Sequence, residues 1–161
     1  MIIILMGVCG SGKSTVGRKL SERLNFKFIE GDSFHSDENI KKMSSGSPLT
    51  ESDREPWLKT IRNEIDKNLS NDKNSVITCS ALSKKSREIL GIERCEVKLI
   101  YLHAKYSVLA GRLGRRKNHF MPSGLLESQF KALEEPGEKE AIYVDVDRNV
   151  SKIIGQIIKE I

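Results

Sequence analysis

Cysteine is scarce in these 161 residues: Cys9, Cys79 and Cys95 are the only three. An odd number without shared metal-ligand spacing excludes a disulfide framework and a structural zinc site. The thiols are expected to act as small apolar residues in a reducing, cytoplasmic setting. No apolar run approaches the length of roughly 20 residues that a membrane span needs. The first run, Ile2–Met6, has no basic segment ahead of it and stops at a glycine loop, so it reads as a buried strand rather than a signal peptide. Internal repeats, low-complexity tracts and linkers are also missing, which leaves a single domain over 1–161. Excess charge is small: 27 basic against 22 acidic side chains, a net +5. Where that excess lies matters more than its size.

What is present is alternation. Ile2–Met6, Phe26–Ile29, Val76–Cys79, Val97–Leu102 and Ile142–Val146 read as five short strands rich in Val and Ile. Four of them lack polar alternation, as strands covered on both faces do. Amphipathic stripes lie between them: Val16, Leu20 and Leu24, then Leu58, Ile61 and Ile65, and at the end Ile153, Ile154, Ile157 and Ile158. This β-α-β-α order predicts an α/β fold, a five-stranded parallel sheet flanked by helices. Two segments exceed a minimal unit, an insertion over about 35–70 and a basic stretch over about 112–124. Both follow strands, on the edge where parallel sheets bind ligands.

The first turn carries a complete motif. Gly7-Val-Cys-Gly-Ser-Gly-Lys-Ser14 matches G-x-x-x-x-G-K-[ST] between a buried strand and a helix from about Lys13. Gly7, Gly10 and Gly12 let successive N–H groups, that of Ser11 among them, turn toward an anion, and the helix dipole adds to the attraction. Lys13 is placed for the outer phosphates, Ser14 for Mg²⁺ and Thr15 for an inner phosphate. The plainer alternative is a glycine-rich turn with a surface lysine. No N-K-x-D guanine reader is present, and the third strand ends Thr78-Cys79-Ser80 without an acid. The carboxylate that Mg²⁺ or an attacking hydroxyl needs is therefore sought at Asp32, after the second strand. A small ATP-dependent kinase is the class these features select.

Further residues carry a resemblance. Gly31-Asp32-x-x-His35, Asn39-Ile-x-Lys-Met43, Gly46-x-Pro-Leu49 and Asp53-Arg54-x-Pro-Trp-Leu58 resemble the gluconate kinase family. So do Cys79-Ser-Ala-Leu82, Arg116-Lys-x-His-Phe120 and Gln129-Phe130 followed by Leu133-Glu-x-Pro136. Ser83 and Ser86 depart from it, standing where a lysine and a tyrosine are expected. The resemblance implies a P-loop NTPase fold of the nucleoside-monophosphate-kinase and shikimate-kinase type, with a lid over about 112–124. It implies transfer from ATP to the 6-hydroxyl of D-gluconate, with Mg²⁺, in a homodimer. It sets Arg112 against adenine and Arg116 near the phosphates, two roles that are interchangeable, and His119 on the acceptor. The nearest alternatives are a kinase for another small polyol or acid, such as shikimate, and a nucleotide-gated binding module. Shikimate kinases usually carry a glycine triplet where this chain has Ser80-Ala81.

A sugar acid presents one carboxylate and a row of hydroxyls, so its site needs a fixed cation and several polar partners. Asp32 and His35 share one strand-end loop, and Ser80 ends the neighbouring one. Thr50-Glu-Ser-Asp53 reads as a capping box that starts a helix and sets Arg54 in its first turn. There the guanidinium forks onto a carboxylate, or else pairs with Glu51 or Asp53 on the surface. His35 binds a substrate hydroxyl or merely a backbone group before Ser36, which caps the next helix. Trp57 is read as core. Asp147 either lines the adenine pocket through its backbone or caps the last helix. The stretch 112–120 has two further readings, a solvated helix end and a nucleic-acid patch; the second is disfavoured by its single aromatic.

Overall fold

Along the first strand, β1 (Ile2–Met6), every side chain is buried, because the sheet is covered on both faces. Ile2, Ile4 and Met6 point into one apolar cluster, Ile3 and Leu5 into the other. That two-sided burial is why the strand shows no polar alternation. The structure, a computed structural model, describes residues 1–114 and 123–161. Those residues run β1, α1 (Lys13–Leu24), β2 (Lys27–Glu30), a short 3₁₀ turn (Gly31–Phe34), α2 (Asp37–Ser44), α3 (Glu51–Ser70) and β3 (Ser75–Thr78). They continue α4 (Lys84–Leu90), β4 (Val97–His103), α5 (Tyr106–Gly114), α6 (Ser123–Ala132), β5 (Ile142–Asp145) and α7 (Val150–Glu160).

The five strands form one parallel sheet in the order β2-β3-β1-β4-β5. Each expected strand is present, β1 with its expected ends and the others with ends displaced by at most one residue. The predicted stripes hold as well. Leu58, Ile61 and Ile65 bring α3 onto one face, beneath Ile4 and Ile77, while Val16 and Leu20 bring α1 onto the other. Full burial of one such aliphatic side chain contributes about 1.5–3 kcal/mol. The stripe on α7 is narrower than its sequence predicts. Ile153 and Ile157 are buried, but Ile158 is 36% exposed, because α7 lies at the border of the sheet.

Helix starts follow side-chain chemistry. Ser36 accepts from the Asn39 amide to begin α2. Thr50 and Asp53 complete the expected capping box of α3, each side chain bonding the other's backbone N–H. At α7 the capping alternative for Asp147 does not form: Asn149 accepts from the Lys152 amide. The Asp147 N–H donates back to Asp145 Oδ1 at 2.8 Å, a local turn two residues ahead of the cap. Ser83 and Ser86, the two departures from the family pattern, form their own cap. Ser83 accepts from the Ser86 amide, and the two buried hydroxyls sit 2.8 Å apart. Cys9 and Cys79 are buried as expected, with burial pushing the Cys79 thiol up to about 12. Cys95 is exposed and does not serve as a core residue.

Candidate active site

The loop after β1 curls because three of its residues are glycines. Gly7, Gly10 and Gly12 have φ of 145°, 78° and 91°, a region that side-chain-bearing residues rarely enter. Gly12 caps α1 without a side chain, so the first amides of that helix stay available to an anion. The Lys13 ammonium donates to the carbonyls of Gly7 and Val8, at 2.8 and 3.1 Å. Two of its three N–H groups are thus spent on its own loop, and one remains. Burial lowers its pKa from the ordinary lysine value, against the pull of the Asp32 carboxylate. Ser11 Oγ is buried without a hydrogen-bond partner among the described residues. The Ser11 N–H, expected to turn toward an anion, instead donates to the Val8 carbonyl at 3.3 Å.

Facing this loop is the turn that follows β2. Gly31 lies so close to β3 that a Cβ there would collide with the Thr78 carbonyl oxygen. Its N–H donates to Thr78 Oγ1 at 3.2 Å, and its carbonyl accepts from Trp57 Nε1 at 2.7 Å. Those contacts pin the turn, and Asp32 projects from it into a cavity of about 410 Å³. Trp57 is core, as expected, and also a support. The His35 ring stacks on it with centroids 4.2 Å apart and planes 17° apart. Burial lowers the His35 pKa; Asp32 opposes that shift and Arg54 reinforces it. His35 Nδ1 is buried with no partner among the described residues, contrary to the backbone-bonded alternative.

Arg54 also lines the cavity. Asp53 is taken by Lys42 at 2.6 Å and by the Thr50 amide, which hold its carboxyl down to about 2. Among the described residues no carboxylate lies within 4 Å of the Arg54 guanidinium, so the surface-pair reading is not what forms. Burial lowers the Arg54 pKa, with Glu51 and Asp53 opposing. Ser80, from the β3 exit, also lines the cavity, as do Ser14 and Thr15.

One cavity thus gathers Gly10, Gly12, Lys13, Ser14, Thr15, Asp32, His35, Arg54 and Ser80. Gly7 and Ser11 shape the loop behind it. Arg112 and Asp147 do not line it. Arg112 instead donates to the Val146 carbonyl at 2.5 Å, which ties α5 to the exit of β5. Arg116 and His119 lie outside the described residues. A Ser14 hydroxyl and an Asp32 carboxylate, hard oxygen donors on one cavity, suit Mg²⁺, which takes few protein ligands and several waters or phosphate oxygens. Sequence reasoning missed the apolar wall of Ile40, Met43, Leu49 and Leu82, and it gave Gln129 no role. Gln129 was visible only within the Gln129-Phe130 motif; its partner, the Cys9 amide, is 120 residues away.

A family model described as shikimate kinase matches residues 9–161. The thermoresistant gluconokinase of Escherichia coli K12 is 38% identical over 162 residues, covering 99% of this chain and 93% of that protein. A solved gluconokinase from Sinorhizobium meliloti 1021 superposes with a TM-score of 0.87 at 42% identity, over 98% of this chain and 89% of that one. An unliganded sugar kinase from a Janibacter species gives a TM-score of 0.92 at 35% identity, over 98% and 92%.

Proposed function

The chain belongs to the shikimate kinase family and groups there with the gluconokinases, and from that premise we propose that it phosphorylates D-gluconate at the 6-hydroxyl with ATP, giving 6-phosphogluconate and ADP. One observation supports this reading above the others. A phosphate loop, a carboxylate and a half-buried arginine without an ionic partner among the described residues face a single cavity. Even partial desolvation of a guanidinium without a counter-charge is unfavourable, so such a site suits an anion that arrives with the ligand.

The roles follow from position. The loop amides around Gly10 and Gly12 hold phosphate oxygens, and Lys13 places its remaining N–H on the outer ones, where charge builds during transfer. Asp32 accepts the proton of the attacking hydroxyl late in the reaction, or holds the metal shell with Ser14. Mg²⁺, when bound, neutralises phosphate charge. Arg54 forks onto the gluconate carboxylate, while His35 and Ser80 hold neighbouring hydroxyls. The His35 ring is fixed by its stack on Trp57, so it orients the polyol without adjusting to it. Arg116 is proposed for the transferring phosphoryl group, His119 for the acceptor, and Arg112 and Asp147 for the adenine end.

The reading extends to a cytoplasmic homodimer. The free, unpaired cysteines support the setting, and the family resemblance supports the dimer. Among the described residues no helix is long and apolar enough to cross a membrane. Acceptor-dependent ADP release tests the proposal, with gluconate, other aldonic acids, shikimate and nucleoside monophosphates supplied in turn. Gluconate should give the highest kcat/KM. Faster turnover of shikimate would replace the acceptor, and ATP binding without acceptor-dependent release would make the chain a binding module.

A further inference from the structure

The Val8–Cys9 peptide group is held from both sides. Its carbonyl accepts from Lys13 Nζ at 3.1 Å, and its N–H donates to Gln129 Oε1 at 2.6 Å. The carbonyl and N–H of a trans peptide point in opposite directions, so one rigid plane is clamped between the ammonium and the carboxamide. A backbone N–H can only donate, so the Gln129 atom in contact is its oxygen. Gln129 itself is firmly mounted on α6. Leu126 of that helix is buried, and the Phe130 ring meets Tyr106 edge-on with centroids 5.4 Å apart.

The direction of the Lys13 ammonium depends on this plane. Two of its three N–H groups are committed to the Gly7 and Val8 carbonyls, and the third aims where those two bonds leave it. Rotating the Val8–Cys9 peptide would take away one of those carbonyls and re-aim the ammonium. The loop adds one restraint of its own, the Ser11 N–H donating to the Val8 carbonyl at 3.3 Å, while Gly10 and Gly12 are permissive at φ. Gln129 is the side chain that holds the N–H end.

We propose that Gln129 is a positioning residue for Lys13, acting through the Val8–Cys9 peptide. The proposal rests on the ATP-binding reading of the loop given above. Gln129→Leu removes the acceptor at similar volume, whereas Gln129→Glu keeps an acceptor oxygen. In Gln129→Leu the Cys9 amide should exchange with solvent at least about tenfold faster by NMR, the effect of losing one hydrogen bond. Its kcat should fall about tenfold, with the gluconate KM within about twofold of wild type. Gln129→Glu should keep the Cys9 protection. In a Lys13→Ala background, Gln129→Leu should cost less than about twofold, because the effect passes through the lysine. Unchanged Cys9 exchange in Gln129→Leu, lost protection in Gln129→Glu, or an equal loss of kcat in both backgrounds would each overturn the proposal. The exchange measurement uses neither nucleotide nor acceptor, so it still reads if gluconate proves to be the wrong acceptor.

Discussion

The two ends of the cavity are built in different ways. The phosphate end comes from one contiguous loop, residues 7–15, whose lysine bonds to the carbonyls of Gly7 and Val8. The acceptor end is assembled from the turn after β2, the start of α3 and the exit of β3, held together by Trp57 and Thr78. A contiguous loop carries its chemistry wherever a strand and helix flank it, so it says little about what is phosphorylated. An assembled end depends on long-range packing, and its cation, without an ionic partner among the described residues, and its stacked histidine can fit one class of ligand. Reaction type is therefore read at the first end and specificity at the second.

Substitutions at the shared boundary should separate the ends most sharply. Asp32→Asn keeps shape but loses basicity, and kcat should fall by roughly a hundredfold to ten-thousandfold while ATP binding by calorimetry stays near normal. Retention of more than about a tenth of kcat would remove Asp32 from the proton-transfer role. Loss of Mg-ATP binding would assign it to the metal instead. Lys13→Ala should lower activity by on the order of a hundredfold, whichever acceptor is used. Its ammonium seats on loop carbonyls rather than on a buried acid, so thermal unfolding should change little.

Smaller effects belong to the acceptor end. His35→Ala should raise the gluconate KM about tenfold, with a lesser change in kcat, as removal of a ground-state hydrogen bond does. Thr50→Ala deletes the cap that starts the helix carrying Arg54 and should cost about 1 kcal/mol in denaturant unfolding. The partner carboxylate of that cap, Asp53, is depressed to about 2. A depressed acid stabilises the fold above its unfolded pKa, so this contribution should fade between about pH 4 and pH 2 and be missing from Asp53→Asn.

The same contrast explains what the sequence could reveal. The phosphate loop, all five strands and the capping box at Thr50 depend on neighbouring residues, and each was legible. The hold of Trp57 on the turn at Gly31 and the bond from Cys9 to Gln129 join segments 26 and 120 residues apart, which no local pattern records. Of the two alternatives for Asp147, the helix cap does not form, because α7 starts two residues later and Asn149 supplies the acceptor. The Ile158 side of α7 looked apolar in periodicity alone, since sheet borders do not show in a helical stripe. Arg54 was legible as a cation at a helix start, but its lack of an ionic partner among the described residues is a property of the fold.

That arginine gives the most direct test. ADP release can be measured for gluconate and for glucose, which lacks the carboxylate, with the wild type, Arg54→Ala and Arg54→Lys. The account predicts that the wild type favours gluconate, that Arg54→Ala lowers kcat/KM for gluconate by about 10- to 100-fold while leaving glucose unchanged, and that Arg54→Lys rescues poorly because it lacks the planar fork. Equal use of the two acceptors by the wild type, or an equal loss on both in Arg54→Ala, would contradict it.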